Sequence, residues 1–278
     1  MVKKEQLNLS DKMSLIILKL GGSAITKKAD NKFEMNYEVL NRSAQEIKNA
    51  QEQNPDLELI VVCGVGPFGH TNVKEFDINN GITTDRHKAG VEKTNKDCDF
   101  VGNETVKALK NIGLKAKLIS GYDICKQKNK QVVSFDLGPY KKALEEKIIP
   151  ITTGIMVEDK ELVWSVMSGD QVIAQLAKHL SPEKVLIGAD VDGIFTADPK
   201  NDEKAELIEE ITKENIESIL EKVGESRAVD VTGGMKGKLD KLAKNLGGVN
   251  VEIFSLFVEK NLENVLLGKE IKSTKIML

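Results

Sequence analysis

Lysine and glycine residues stand together where an apolar segment of this chain ends. Lys19 lies in the apolar segment 15–20, and Gly21, Gly22 and Ser23 follow that segment directly. A lysine ammonium supplies positive charge, and glycines allow the backbone amides to approach a ligand closely. The spacing therefore predicts a site for a polyanion such as the phosphates of a nucleotide.

Three further glycine loops contribute a histidine, a carboxylate and two lysines. These loops span 64–70, 168–170 and 230–238, and their reactive side chains are those of His70, Asp170, Lys236 and Lys238. Phosphoryl transfer depends mainly on cations and backbone amides around the transferred group and needs little covalent help from the protein. The four loops together therefore predict a site for phosphoryl transfer.

The loop at 64–70 also matches the G-x-G-x-x-G pattern of dinucleotide-binding proteins, with Asp85 about 20 residues further on. That pattern usually follows the first strand of its domain. Here an earlier apolar segment has its own glycine loop, and Pro67 would constrain the phosphate turn. A nicotinamide-dependent oxidoreductase is therefore the less favoured alternative. The sequence G-x-x-x-x-G-K-[ST] does not occur, which excludes a P-loop nucleotide-binding protein.

The elements that must position these loops alternate along the chain. Apolar segments rich in β-branched residues predict strands at 15–20, 59–63, 116–119, 148–152, 185–189 and 251–254. Helical periodicity predicts helices at 37–54, 93–112, 140–147, 171–180, 213–223, 235–246 and 261–267. This order predicts an α/β fold, a three-layer αβα sandwich with an open, mainly parallel sheet. Ligands in such folds bind at the carboxyl ends of strands, where the glycine loops begin.

Three other segments have simpler interpretations. The short segments 154–157 and 162–166 flank a charged tetrapeptide and predict a hairpin appended to the sheet. The charged segment 198–210 lacks an apolar period and predicts a solvated loop. The polar segment 77–88 is interpreted as an exposed loop that could cover an acceptor.

Composition excludes several classes of function. The 278 residues carry 40 basic and 43 acidic side chains, a net charge of −3, so there is no broad basic field for nucleic acid or a membrane surface. No apolar segment approaches the roughly 20 residues that span a bilayer, and we expect a cytoplasmic protein. The three cysteines and three histidines are scattered, which predicts neither disulfides nor a protein-held metal. We expect an N-terminal extension at 1–13 and a single domain at 14–278.

Four motifs in this order resemble those of the amino acid kinase superfamily. They lie at 19–23, 168–170, 189–195 and 232–238. Gly69-His70 and the segment 229–235 are similar to the archaeal isopentenyl phosphate kinases. The resemblance extends from about Leu15 to the C-terminus. It implies an open eight-stranded sheet, with an acceptor-binding half at about 14–168 and an ATP-binding half at about 169–278.

The resemblance also implies an activity, the transfer of the γ-phosphoryl group of MgATP to a phosphate monoester, best matched by isopentenyl phosphate. Mg²⁺ would arrive with the nucleotide, and we expect a homodimer. The implied catalytic residues are Lys19 and Lys238, which would stabilise phosphate charge, and Asp170, which would hold the two ammonium groups. The implied nucleotide-binding residues are Gly21, Gly22, Ser23, Asp190, Asp192, Gly193, Gly233, Gly234 and Lys236, with the amides of Gly21 and Gly22 meeting phosphate. The implied acceptor-binding residues are Lys28, Gly64, Val65, Gly66, Gly69, His70, Thr153 and Gly154.

The chain departs from the isopentenyl phosphate kinase pattern only in the implied acceptor half. Cys63, Val65 and Pro67 replace a histidine and two small residues, and Ile155 replaces a carboxylate. These departures leave two alternatives open. The same ATP site could serve another acceptor, such as a carboxylate, a hydroxyl, a phosphonate or a nucleoside monophosphate. The chain could also be a non-catalytic nucleotide-binding regulator.

Overall fold

The computed structural model describes residues 14–29, 32–197, 199, 202–225, 246 and 248–278. The predicted extension 1–13, the loop 230–238 and nearly all of the predicted helix 235–246 lie outside the described residues. The strands are β1 Ser14–Leu20, β2 Thr26–Ala29, β3 Lys32–Met35, β4 Leu57–Cys63, β5 Ala116–Leu118, β6 Cys125–Lys128, β7 Gln131–Phe135, β8 Ile149–Thr153, β9 Ile155–Asp159, β10 Val163–Met167, β11 Lys184–Ala189, β12 Ile194–Phe195, β13 Leu207–Ile208, β14 Glu210–Thr212, β15 Asn250–Ser255 and β16 Ser273–Met277. The helices are α1 Gly22–Ile25, α2 Tyr37–Gln53, α3 Pro67–Glu75, α4 Asp85–Asn111, α5 Gly121–Ile124, α6 Gly138–Glu145, α7 Gly169–Leu180, α8 Ile216–Glu225 and α9 Asn261–Leu266.

An eight-stranded sheet forms the centre of the fold, in the order β14-β16-β15-β11-β1-β4-β8-β5. The six strands from β15 to β5 are parallel to their neighbours, whereas β16 is antiparallel to β15 and parallel to β14. All six predicted strands are present in it. The predicted α/β class with a mainly parallel sheet is therefore confirmed.

The apolar segments form strands because they are covered on both faces. Ile16, Ile17 and Leu18 of β1 and Ile60 and Val61 of β4 are all buried in one continuous core. Helix α7 packs against β1 and β4, and α4 packs against β5 and β8. A strand buried on both faces has no polar side, which explains its continuous apolar sequence.

A second, four-stranded sheet has the order β10-β9-β6-β7. The predicted hairpin at 154–166 is confirmed as the antiparallel pair β9 and β10. The hairpins β6–β7 and β2–β3 are also present, and the sequence gives no clear indication of either because their strands are short and mostly polar. The buried carboxylate of Asp159 joins the tips of β6–β7 and β9–β10 by accepting hydrogen bonds from Asn129, Lys130, Glu161 and Leu162 amides.

The interpretation of 77–88 as a loop is wrong at its C-terminal end. Helix α4 begins at Asp85, eight residues before the predicted start, because Thr84 caps it by accepting a hydrogen bond from the His87 amide at 3.2 Å. The preceding segment lies against the β9–β10 hairpin, where the Ile82 amide donates to the Leu162 carbonyl at 3.0 Å. The predicted loop at 198–210 likewise contains the two-residue strand β13 and the first residue of β14.

No helix in the described part of the chain is both long enough and apolar enough to cross a membrane.

Candidate active site

Five parallel strands end at one edge of the central sheet. In the strand registers, Leu20 of β1 is level with Cys63 of β4 and Gly188 of β11, and Cys63 is level with Thr153 of β8. Ala189 of β11 is in turn level with Ser255, where β15 ends. The segments that follow β1, β4, β8 and β11, which carry predicted site residues, therefore meet along this edge.

Lys19 and Asp170 form an ion pair at this edge. Lys19 is the penultimate residue of β1, and Asp170 lies in the first turn of α7, after its N-cap Ser168. Lys19 Nζ donates a hydrogen bond of 2.5 Å to Asp170 Oδ1, and the two side chains are 20% and 49% exposed. The structure thus brings together two of the three predicted catalytic residues in a place that a ligand can reach.

The absence of a side chain at Gly154 allows α7 to begin close to the strand ends. A Cβ atom on Gly154 would lie 2.7 Å from the backbone nitrogen of Gly169. A Cβ on Gly169 would lie 3.5 Å from Val62 Cγ1 and 4.0 Å from Lys19 Cε, so the lysine side chain extends directly past Gly169. A side chain at Gly154 would push the start of α7, and with it Asp170, away from the sheet edge.

The glycine loops after β1 and β4 contact each other through their backbones. A Cβ on Gly64 would lie 2.3 Å from the Gly22 nitrogen, and a Cβ on Gly22 would lie 2.5 Å from the Gly66 nitrogen. Gly66 also has a φ of +50°, in the region that favours glycine. The two predicted phosphate loops therefore form one continuous backbone surface beside Lys19.

Gly64→Ala tests this contact. The new methyl group would meet backbone atoms, which cannot move aside as a flexible side chain can, and we expect a loss of about 3 kcal/mol in the free energy of unfolding. Urea unfolding monitored by circular dichroism measures it. Gly113→Ala is the control, since a Cβ there meets nothing within 4 Å and only the φ of +89° opposes it; we expect a loss of about 1 kcal/mol. Equal losses would contradict the close contact of the two loops.

The predicted role of Gly21 as an amide donor to phosphate is corrected by the structure. The Gly21 amide donates to the Gly188 carbonyl at 2.8 Å, because the pairing of β1 with β11 continues one residue beyond Leu20. A Cβ on Gly21 would lie 2.5 Å from the same carbonyl oxygen. Gly21 thus joins the loop after β1 to β11, and its amide is not directed at a ligand.

Thr26 also lies at this edge, although no predicted site includes it. Its Oγ1 donates to the Gly22 carbonyl at 2.5 Å and would lie 2.3 Å from a Cβ on Gly66. The hydroxyl therefore holds the short helix α1 against the loop after β4. The only signal in the sequence is a threonine four residues after a glycine, a spacing that allows a side-chain bond back to the carbonyl.

The loop after β11 contacts the loop after β1 and the start of β16. Ser23 Oγ donates to Asp190 Oδ1 at 2.8 Å, and Asp192 pairs with Lys272 at 2.9 Å. Gly193 has no room for a side chain, because a Cβ would lie 2.3 Å from Thr274 Oγ1. Four predicted nucleotide-binding residues are thus placed along the edge next to Gly21 and Gly22.

The predicted acceptor residues lie on the β4 and β8 side of Lys19. His70 is exposed on α3, while Val65 is nearly buried and its Cγ2 would lie 2.6 Å from a Cβ on Gly69. Thr153 is fully buried, and its Oγ1 has no hydrogen-bond partner. The side chain of Val65 therefore packs against α3, and Val65 contributes only its backbone to the surface of the glycine loop.

Five residues with predicted roles lie wholly or partly outside the described part of the structure. Lys28 lies in β2, in register with Phe33, but its side chain lies outside the described part of the structure. Gly233, Gly234, Lys236 and Lys238 lie outside the described residues altogether. Among the described residues, no group of three or more histidine, cysteine, aspartate or glutamate side chains is placed to hold a metal ion.

Comparisons with a family profile, with known proteins and with a solved structure all point to one family. The profile of the amino acid kinase family matches residues 14–255. The isopentenyl phosphate kinase of Methanothermobacter thermautotrophicus is 34% identical over 269 residues, which cover 94% of this chain and 98% of that protein. That of Methanocaldococcus jannaschii is 32% identical with the same coverage. An X-ray structure of an isopentenyl phosphate kinase superposes with a TM-score of 0.81 at 31% identity, over 95% of this chain and 100% of the other. The chain belongs to the amino acid kinase family.

Proposed function

We propose that this protein transfers the γ-phosphoryl group of MgATP to isopentenyl phosphate, giving isopentenyl diphosphate and ADP. The observation that carries the proposal is the Lys19–Asp170 ion pair, which lies beside the joined glycine loops at the carboxyl edge of the sheet. The relatives named above, which are similar over nearly their whole length, support the choice of acceptor.

The residues at this edge fit the needs of phosphoryl transfer. The Lys19 ammonium would contact the phosphate oxygens and stabilise the negative charge that spreads over the transferred group in the transition state. Asp170 would fix the direction of that ammonium. The backbones of Gly22, Gly64 and Gly66 pack directly against their neighbours in the two loops, and this joined backbone surface would face the phosphates. Mg²⁺, bound to the nucleotide, would supply further positive charge.

We include Lys238 in this proposal as the second cation, with Gly233, Gly234 and Lys236 as further nucleotide contacts. They are assigned from the sequence motif alone. The acceptor in this reaction is already an anion, so no general base is required to activate it. The protein then has two tasks at the acceptor, which are to bring the phosphate of the monoester towards the γ-phosphate and to neutralise the repulsion between them.

The acceptor side combines a polar and an apolar surface. His70 on α3 is exposed and would donate a hydrogen bond to the phosphate of the acceptor. Val73 on the same helix and Phe76 directly after it are only partly buried, and both pack with Trp164 on an apolar cluster formed by Ile78, Ile82, Val91 and Met156. An acceptor with a phosphate at one end and a short hydrocarbon at the other suits these two surfaces.

Three of the four departures from the family pattern are buried, and the departures do not favour another acceptor. Cys63 is fully buried and its thiol donates to Thr105 Oγ1 at 3.3 Å. Ile155 is buried next to Gly121, and Val65 is buried next to Gly69. Pro67 is the first residue of α3, where a missing amide removes no intrahelical hydrogen bond. Since the side chains of Cys63, Val65 and Ile155 are buried, they change how the loop is supported more than what it recognises.

An acceptor screen with coupled detection of ADP tests the proposal. We expect turnover with isopentenyl phosphate and much slower turnover with isopentenol, an alkyl phosphonate, a nucleoside monophosphate and an acidic amino acid. Faster turnover of one of these compounds, with none of isopentenyl phosphate, would contradict the assigned acceptor. Binding of MgATP without ADP release on addition of any acceptor would instead support a regulatory protein.

The single domain at 14–278, with its acceptor and ATP halves, the homodimer and the cytoplasmic location stay predictions. Light scattering after size-exclusion chromatography measures the number of chains directly.

A further inference from the structure

Asp159 is a buried carboxylate that has no part in the chemistry described above. Its side chain lies where the tips of the β6–β7 and β9–β10 hairpins meet, and the residue is 4% exposed. Five groups donate hydrogen bonds to it: the amides of Asn129, Lys130, Glu161 and Leu162, at 2.8 to 3.1 Å, and Ser165 Oγ at 2.7 Å. Burial acts to raise the pKa of Asp159, but these donors outweigh it and hold the pKa well below its usual range.

The hydrogen bonds continue from this carboxylate to the first turn of α7. The Lys130 amide donates to Asp159 Oδ2 at 2.8 Å, and the Lys130 carbonyl accepts from Gln171 Nε2 at 3.1 Å. Gln171 Oε1 in turn accepts from the Ser168 amide at 2.9 Å, while the Gln171 amide donates to Ser168 Oγ. Asp170, the partner of Lys19, lies between Ser168 and Gln171 in the chain.

A second branch reaches the segment that precedes α4. The Leu162 amide donates to Asp159 Oδ1 at 3.1 Å, and the Leu162 carbonyl accepts from the Ile82 amide at 3.0 Å. Ile82 belongs to the apolar cluster next to α3. One buried charge therefore supports both the turn that carries Asp170 and the segment beside the acceptor surface.

We propose that Asp159 is a positioning residue for phosphoryl transfer, acting through the Lys130 backbone and Gln171 to fix the turn that carries Asp170. The capping of α7 does not need this link, because the reciprocal hydrogen bonds of Ser168 and Gln171 already form a complete capping box. The additional bond to Lys130 ties the turn to a rigid carboxylate. A displacement of Asp170 by a fraction of an ångström would misplace the Lys19 ammonium relative to the transferred group.

Two substitutions at Gln171 separate this link from helix capping. Gln171→Glu keeps the oxygen that accepts from the Ser168 amide but cannot donate to the Lys130 carbonyl. Gln171→Met removes both bonds and adds no charge next to Asp170. We expect kcat to fall about tenfold in both variants, with KM values for ATP and acceptor within about twofold of wild type. Asp159→Asn should give a similar loss, and its effect should not add to that of Gln171→Met, because both break one chain of contacts.

Amide hydrogen exchange of residues 168–173 supplies a readout that needs no acceptor. Only the kinetic part of this proposal rests on the proposed function. If the wild-type protein had no activity on isopentenyl phosphate, the proposed function would be disproved, but the exchange test would still apply. We expect exchange about tenfold faster in Gln171→Glu and in Gln171→Met. Glu161→Gln is the matched control, since this side chain lies half exposed at the same hairpin tip and pairs only with Lys128 among the described ion pairs. Wild-type exchange and wild-type kcat in either Gln171 variant would overturn the proposal.

Discussion

Lys19→Ala is expected to lower kcat by about two to three orders of magnitude while KM for ATP changes much less. The ammonium lies at the centre of the site, at the end of β1 and within 2.5 Å of Asp170 Oδ1. A cation in this position acts mainly on charge that develops in the transition state, so its removal slows the chemical step more than it weakens binding. Steady-state kinetics with MgATP and isopentenyl phosphate, together with ATP binding by calorimetry, separate the two effects.

Lys117→Ala is the matched control for this experiment, because Lys117 is also a strand lysine but is exposed on β5 at the far edge of the sheet. We expect wild-type kcat for this variant. A Lys19→Ala protein that folds normally and turns over at the wild-type rate would disprove the assigned site. A large change in the KM for ATP with an unchanged kcat would instead give Lys19 a role in ground-state binding.

His70→Ala is expected to raise KM for a phosphorylated acceptor about tenfold to a hundredfold, the effect of losing one hydrogen bond to a charged group. His70 is exposed on α3, at the junction between the glycine loop and the apolar surface of Val73 and Phe76. The variant loses a donor without removing core contacts. Initial rates at varied isopentenyl phosphate and saturating ATP measure the change.

His179→Ala controls for the loss of a histidine, since His179 is exposed in the last turn of α7, far along the helix from Asp170. Its KM values should equal those of wild type. His70→Asn, which retains an N–H donor, should recover part of the affinity. If His70→Ala lowered kcat and raised both KM values equally for every acceptor, the side chain would have a structural role and not one in phosphate recognition.

The central part of the fold could be predicted because its pattern is local. Strands such as Leu57–Cys63 are apolar at nearly every position, and each is followed by a loop signal. The short hairpins could not be predicted in this way. Residues 26–29 and 32–35 contain only a few apolar side chains each, and their strand form depends on pairing with each other. Helix α4 begins after the N-cap Thr84, but its first turns are mostly polar and show no apolar period that would predict a helix from the sequence.

The types of residue in the site could be predicted from the sequence, but most of the contacts between them could not. A lysine beside two glycines and a Ser-Gly-Asp turn are visible in the sequence, and the structure places Lys19 and Asp170, 151 residues apart, in one ion pair. The Gly21–Gly188 hydrogen bond depends on which strands are neighbours in the sheet, which no local pattern reveals. The direction of the Val65 side chain depends on the packing of α3. Asp159 looks like one of many charged hairpin residues until its five donors are seen together.

The three cysteines provide an internal probe of how this molecule opens. Cys63 lies in the central sheet, Cys98 in the long helix α4 and Cys125 in the smaller sheet, and all three are buried. Burial raises the pKa of the Cys63 and Cys125 thiols to about 12, and also raises that of Cys98. Thiolates, which are the reactive form, are therefore scarce in the folded protein. The rate at which a maleimide labels each cysteine reports how often the element around it opens. Mass spectrometry of the labelled chain can therefore rank the central sheet, helix α4 and the smaller sheet by local stability.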